Sequence, residues 1–376
     1  MTTSLPAADQ GTELAPVVED MSAWIIAGAV ASKQEESGFD TVARTPAQGI
    51  DDGVAAERLG FRRIWISERI DIKWSDVVLS GAAARTSRLE VGTGVIDPPT
   101  RHPWITAAYA ATMQACYGDR FILGLGRGED AYFKGTGLRQ ASFEYMHDYI
   151  GILRKLWAGE RVDYDGPVGS FDGMFFAETY HGAAPPVWFA GFAHSKGARL
   201  IAEDCDGVLL IPNMTPTAVR DAVSRIREAC DKVGRDASEI RICVPVVTAP
   251  DMDDFETRAI AHARAVTYLQ YPGYGEALCR ANGWDPKVLG DIRNHPKLAG
   301  LADIADRAFQ RHQLLDVASA VPDEYMLDCC AIGSADECVT SLQRFIDAGA
   351  DEVATYGSTP QQNAALIAAW RDRKSR

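Results

Sequence analysis

Three stretches of this chain bring together residue types that could do chemistry. The first is Gly124-Leu125-Gly126-Arg127-Gly128-Glu129-Asp130, where missing side chains would let a flat ring or a phosphate approach the backbone beside two carboxylates. Its spacing is G-x-G-x-G, and the next clear helix begins well after it, so it lacks the dinucleotide fingerprint in which the last glycine opens a helix. A tight turn with positive φ would need the same glycines. The second stretch is Gly92-Thr93-Gly94-Val95-Ile96-Asp97-Pro98-Pro99-Thr100-Arg101-His102-Pro103, and the third is Ile66-Ser67-Glu68-Arg69. His102 could exchange protons or, standing before a proline, pack at a helix start. Arg69 stays protonated and cannot act as a base, but it could pair with Glu68 or with an anionic group. Ser195, Lys196 and Arg199 could approach a phosphate, or simply form the exposed basic face of a helix.

Other chemistries find less support. The remaining histidines show no metal-ligand spacing, and the eight cysteines (116, 205, 230, 243, 279, 329, 330 and 338) include no C-x-x-C pair. They read as small buried apolar residues in a reducing cytosol. With 38 Lys plus Arg against 52 Asp plus Glu, the net charge of −14 would repel a polyanion, which argues against nucleic acid as a partner. No apolar run is long enough to span a membrane, and the N-terminus lacks a basic segment followed by an apolar one. The expectation is a cytoplasmic protein with a small-molecule substrate. Met1 to Asp20, rich in Thr, Ala, Pro and acidic residues without periodicity, is read as a mobile tail.

The elements that must hold these stretches alternate along the chain. Expected strands are Trp24–Val30, Phe61–Ile66, Leu89–Val95, Arg120–Leu125, Pro186–Ala190, Gly207–Ile211, Ile240–Val247 and Asp351–Tyr356. Helices fall between them. Thr45-Pro46-Ala47-Gln48 has capping-box spacing with Pro at the first helical position, and Gly60 ends the helix it opens. Ser75 to Thr86 and Pro103 to Cys116 follow, then a helix on which Phe143, Met146, Ile150, Leu153 and Trp157 share one face. Residues 161–177 break the rhythm as a small hairpin insertion, with a turn at Asp165-Gly166. Residues 251–330 form a long variable insertion with helical stretches near Asp254 to Leu269 and Ile304 to Ala318, and such interruptions are often functional. Tyr268, Tyr271 and Tyr274 there suggest an apolar lid, and Trp74 could line the substrate side or simply lie in the core or on the surface. Ser334-Ala335-Asp336-Glu337 supplies another capping box.

Eight βα units require a parallel sheet and most simply close into a (β/α)₈ TIM barrel with insertions, as one domain over 21–376; an open doubly wound sheet is the alternative. In a barrel, reactive residues lie where strands end and βα loops begin. The three stretches above occupy those junctions.

Their wording resembles a known family. The runs G-T-G-V-x-x-P-x-T-R-H-P, A-A-x-x-A-T-M and L-G-L-G-x-G-E look like the luciferase-like flavin and deazaflavin oxidoreductases, particularly members that use coenzyme F420. The resemblance continues through Trp157 to Gly166, Pro186 to Gly191, Ala202 to Gly207, Gly333 and Gly349-Ala350-Asp351, and so covers roughly residues 24–250 and 331–357. It implies that Glu68, after strand two, lies beside the deazaflavin. It implies a cis peptide between Gly94 and Val95, next to Thr93, forming a bulge under the ring. Gly128 and Glu129 would face the cofactor and substrate, with Glu129 exchanging a proton, and His102 falls within the same run. Ala190, Gly191, Phe192, Ala193 and His194 would hold the cofactor phosphate at a helix N-terminus, a placement with its own physical reason because helix N-termini attract anions. A homodimer is also implied. In the glucose-6-phosphate branch of these enzymes a histidine follows the acidic residue, whereas this chain has Arg69, which puts a sugar-phosphate mechanism in doubt.

The leading reading is therefore an F420-dependent oxidoreductase that moves a hydride to or from a small organic substrate, with Glu129 or Glu68 assisting proton transfer. An FMN-dependent monooxygenase of the same fold, and a barrel that binds flavin or deazaflavin without turnover, are the alternatives.

Overall fold

The computed structural model describes residues 14–26, 45–69, 73–130, 132–301 and 304–373. Its first half follows the alternation expected from sequence: β1 (Met21–Ile25), α1 (Pro46–Leu59), β2 (Arg63–Ile66), α2 (Ser75–Ala84), β3 (Glu90–Thr93), α3 (Pro103–Tyr117), β4 (Phe121–Leu125) and α4 (Phe143–Trp157). An antiparallel hairpin, β5 (Val162–Gly166) and β6 (Gly169–Met174), stands outside the main sheet. Then come β7 (Val187–Ala190), α5 (Ser195–Asp204), β8 (Gly207–Leu209), α6 (Pro216–Val233) and β9 (Arg241–Pro250). The long insertion contains α7 (Asp254–Ile260), α8 (His262–Gln270), α9 (Tyr274–Asn282), α10 (Lys287–Arg293), α11 (Ala305–Ala308), α12 (Leu315–Ala318) and α13 (Asp323–Cys329). The chain closes with β10 (Cys330–Gly333), α14 (Ala335–Asp347), β11 (Glu352–Tyr356) and α15 (Ala364–Asp372).

The strands pair in parallel in the order β11-β1-β2-β3-β4-β7-β8-β9, and β9 pairs back onto β11, so the sheet is a closed eight-stranded barrel. Closure leaves no free edge, and helices cover the outside, which is why these strands are buried almost throughout instead of alternating with polar residues. Local signals decide where the helices start. Thr45 and Gln48 make the reciprocal capping-box bonds at α1, Pro46 occupies its first position, and Gly60 ends it with φ +90°. Ser334 and Glu337 do the same at α14.

The interior floor of the barrel is charged. Arg63 lies 2.8 Å from Glu90 and 3.4 Å from Glu352, and Arg241 lies 2.9 Å from Glu352. The Arg63 guanidinium sits 5.1 Å from the Trp188 ring, itself 5.1 Å from Trp65, whose indole N–H donates to Ser22 Oγ at 3.2 Å. Aromatic rings thus separate this floor from the mouth.

Several expectations need correction. The tail ends earlier than Asp20, because Val18 is buried and bridges to Phe61 while Asp20 accepts the indole N–H of Trp370 and pairs with Arg373. Residues 1–13, and 27–30 of the first expected strand, lie outside the described residues. β10 was not expected; it pairs with the C-terminal half of β9, which at ten residues outlasts its partner β11. Asp251 N–H donates to Gly333 O at 2.7 Å, so the two ends of the insertion meet. Cys116 is exposed, unlike the other seven cysteines. No described helix is long and apolar enough to cross a membrane.

Candidate active site

The ends of β2, β3 and β4 converge on a group of carboxylates. Glu68 follows β2, and its Oε2 accepts from Ser75 N (3.2 Å), Ser75 Oγ (2.8 Å) and the Arg101 guanidinium. Burial raises the Glu68 pKa, with Arg101 and Ser75 pulling the other way. Arg101 also reaches Asp76 at 2.9 Å and lies 4.6 Å from the Trp74 ring. Burial works against its charge, but the Asp76 hydrogen bond and the Glu68 and Asp76 charges outweigh that and raise its pKa. The two side chains are 4% and 3% exposed, so this is a dehydrated clamp that fixes the Glu68 carboxylate in one orientation.

Asp97 stands between the two acidic ends. It is half-buried, and desolvation of its carboxyl with the neighbouring Glu68 and Glu129 charges lifts it to about 7, against a Gly128 N–H that donates to it. Glycine is required around it: a Cβ on Gly126 would fall 3.0 Å from Asp97 Oδ1 and 2.5 Å from Val95. Gly128 adopts φ +68°, so the loop turns there in a conformation side chains rarely tolerate. Glu129 is less tied than Glu68. Its Oε2 accepts one hydrogen bond, 3.3 Å from Gln140 Nε2, and burial raises its pKa against the Arg127 charge.

The peptide between Gly94 and Val95 is cis. Gly94 N–H donates to Ile66 O and Ile96 N–H to Gly124 O, which seats the turn between β2 and β4. A Cβ on Gly94 would come 2.6 Å from the Trp24 indole, so the residue must be glycine for the backbone to lie on that ring. Thr93 is spent on the fold: its hydroxyl donates to Gly124 O and accepts from Gly124 N, both at 2.8 Å.

The segment after β7, the strand that pairs with β4, continues this rim of the mouth. Ala193 has φ +49°, and among the described residues nothing accepts from the amides of Phe192, Ala193 and His194 as they lead into α5. Burial and the nearby Arg225 and Arg280 charges lower the His194 pKa. Gly191 differs from the expectation, because its N–H donates to Leu209 O at 3.1 Å and is already used; Ala190 is the last residue of β7.

His102 is not brought into this group. Its ring is exposed, its Nδ1 accepts from Trp104 N at 3.2 Å to cap α3, and it packs edge-on against Phe171 of the hairpin at 5.1 Å. Trp74 is 46% exposed and covers Arg101 from outside. The insertion supplies rings on the inner side: Tyr274 packs 5.2 Å from Phe192 and 5.3 Å from Tyr268, whose hydroxyl lies 2.7 Å from that of Tyr356.

Sequence reasoning assigned no role to Arg101 or Asp97, although both lie inside the G-T-G-V to T-R-H-P run; a charged residue so close to a strand end was the available signal. Arg264, Lys73 and Arg311 were likewise passed over, for want of any spacing that links them.

Residues 24–352 match the luciferase-like monooxygenase family along nearly the whole barrel. The chain belongs to that family. Among its relatives, this luciferase-like chain is 27% identical over 300 residues to the 5,10-methylenetetrahydromethanopterin reductase of Methanolobus tindarius, covering 79% of this chain and 86% of the relative. It is 25% identical over 321 residues to the F420-dependent glucose-6-phosphate dehydrogenase of Segniliparus rotundus, covering 81% and 86%. The solved coenzyme F420-dependent tetrahydromethanopterin reductase from Methanopyrus kandleri superposes with a TM-score of 0.73 at 20% identity, covering 94% of this chain and 98% of that one. This luciferase-like protein is an oxidoreductase on a TIM barrel.

Proposed function

We propose that the protein transfers a hydride between coenzyme F420 and a small organic substrate, with the acidic mouth as its active site. The observation that carries this reading is the meeting of Glu68, the cis Gly94–Val95 peptide and Glu129 on one side of the mouth, next to the open amides after β7, the strand that pairs with β4. Two relatives at 27% and 25% identity, one F420-dependent by name, support the cofactor. The ring would rest on the Gly94–Val95 turn, where a side chain would collide with Trp24, and the phosphate would lie on Phe192, Ala193 and His194. When bound, F420 supplies a hydride donor or acceptor at C5 of its deazaflavin ring.

The chain's own carboxylates divide the remaining work. Glu68 receives three donors, and protonating it would sacrifice bonds to Arg101 and Ser75, so it orients. Glu129 carries a raised pKa and one long hydrogen bond, so it moves the proton at the substrate's reacting oxygen or nitrogen. Tyr268 and Tyr274 exclude water from above. Arg69 occupies the place of the histidine in the sugar-phosphate branch, so glucose 6-phosphate is not the substrate this mouth favours. The exposed Trp74, Val77, Trp104 and Ile105 on and beside the neighbouring α2 and α3 suit the homodimer the resemblance implies, which the molar mass in solution would test.

Adding F420 and FMN separately, and following each absorbance with and without oxygen, tests the reading. F420 should bind and be reduced or oxidised over a panel of alcohols, ketones and imines. Tight binding of FMN with no binding of F420 would replace it with the oxygen-activating reading.

A further inference from the structure

The mouth holds a second charged group that hydride transfer alone does not call for. Arg69, leaving β2, donates from Nη1 to Asp306 Oδ2 at 3.2 Å, and Arg264 on α8 donates from Nη1 to that same oxygen at 3.2 Å. Arg264 is further held by the Tyr356 hydroxyl. Arg311 donates to Gly357 O at 2.6 Å, just beyond β11. Lys73 is buried among them, and burial together with the Arg69 and Arg264 charges lowers its ammonium to about 7. Arg69 also lies over the Tyr132 ring at 5.8 Å.

Charge balance separates this cluster from an ordinary ion-pair network. Among the described residues one carboxylate, Asp306, pairs with both Arg69 and Arg264, and with all three side chains only 16–17% exposed, water compensates little of the excess positive charge. Arg69 Nε and Nη2 and Arg264 Nε are buried donors with no hydrogen-bond partner among the described residues, as are Arg63 Nε and Nη1 at the floor, and Asp306 Oδ1 is a buried acceptor in the same condition. A buried donor left without an acceptor is destabilising, more so when it is charged. Guanidinium forks with open positions match the geometry of a carboxylate or phosphate.

Position completes the argument. Around the barrel, β1 is four strands from β7 in either direction, so the cluster, which hangs from β2, β11 and the insertion, faces the Phe192–His194 amides across the mouth. The carboxylates Glu68, Asp97 and Glu129 lie along β2, β3 and β4 between these two cationic sides. We infer that Arg69 and Arg264, with Lys73 and Arg311 beside them, bind an anionic group of the substrate, a carboxylate or phosphate, and so select substrates that carry one near the reacting carbon. This substrate assignment rests on the reading of the mouth as the redox site. The anion site itself does not.

The test titrates inorganic phosphate into the full chain by calorimetry, for the wild type, Arg69→Gln, Arg264→Gln, Arg69→Lys and Arg225→Gln, with F420 affinity measured on each. The loss of one charge-assisted contact predicts about tenfold or more weaker phosphate binding in Arg69→Gln and Arg264→Gln. Arg69→Lys should recover part of it, Arg225→Gln should retain this component, and F420 affinity should stay within about threefold of wild type in the Arg69 variants. Should Arg264→Gln fail to fold, the Arg69 pair decides alone. Absence of phosphate binding in the wild type, or binding unchanged in both glutamine variants, overturns the inference. So does an equal fall in F420 affinity, which would assign the cluster to the cofactor's own acidic groups. A wild type that ignores F420 but keeps the Arg69-dependent phosphate component removes the cofactor reading and leaves this anion site standing.

Discussion

The barrel carries buried arginines at both of its ends, and the two groups are built differently. At the floor, Arg62, Arg63 and Arg241 face Glu19, Glu90 and Glu352, three cations against three carboxylates. At the mouth, Arg69 and Arg264 share one oxygen of Asp306. A charge-balanced set holds strands in register; an unbalanced one waits for charge from outside. The carboxylates of the mouth show the same asymmetry in the opposite sign. Glu68 has Arg101, while Asp97 faces the Glu68 and Glu129 charges, and burial raises the pKa of all three.

The sharpest way to break this contrast is to unbalance the floor. Glu352→Ala leaves Arg63 and Arg241 short of a buried partner and should lower unfolding free energy by about 3–5 kcal/mol, read from urea midpoints. Next is Glu129→Gln. Turnover should fall about 10²-fold or more while F420 affinity changes less than about threefold, and equal losses in both would make Glu129 a binding residue only.

Asp97→Asn should stabilise the protein, with a definite pH dependence. The folded-state pKa of Asp97 is raised from 3.8 to about 7, so the folded protein holds a proton that the unfolded chain releases. Its contribution is intact below the unfolded value and is lost as pH rises through about 7. Asparagine, which can still accept from the Gly128 amide, should therefore be more stable than wild type by roughly 4 kcal/mol at pH 8, with the gap closing by pH 4; a gap independent of pH would refute the assignment. The smallest effect belongs to the mouth cluster. Arg69→Gln should shift stability by less than about 1 kcal/mol, since Asp306 keeps Arg264, and a loss as large as that of Glu352→Ala would erase the contrast.

Periodic and punctuated segments made the barrel legible. Four of the expected strands run directly into Gly126, Gly191, Pro212 and Gly357, and Thr45–Gln48 and Ser334–Glu337 announced α1 and α14 by side chains that bond their own backbone. β10 escaped because four residues carry too little pattern, and because its place is fixed by the overhang of β9, a partner remote in sequence. The insertion was hard to read for a related reason. Its short helices α9 to α13 are held by contacts such as Arg293 with Glu276 and the Trp284–Tyr325 stack, not by one continuous apolar face. At the mouth, spacing and resemblance pointed to Glu68, Gly94, Gly128 and Glu129, which lie on strand ends. Arg264 and Asp306 meet Arg69 only through tertiary folding, and no local rule links residues so far apart in the chain.

The meeting of Asp251 and Gly333 in one hydrogen bond means that the insertion is tethered like an exchangeable cassette. A segment whose two ends already touch can be lengthened, shortened or replaced at little entropic cost to the rest of the chain. Arg264, Tyr268 and Tyr274 would leave with it, whereas Glu68, Gly94 and Glu129 would stay with the barrel. On the proposed reading the anion site would be split, Arg264, Asp306 and Arg311 going with the insertion while Arg69 and Lys73 stay, so a graft at these two residues would alter what the mouth accepts and leave Glu68, Gly94 and Glu129 in place.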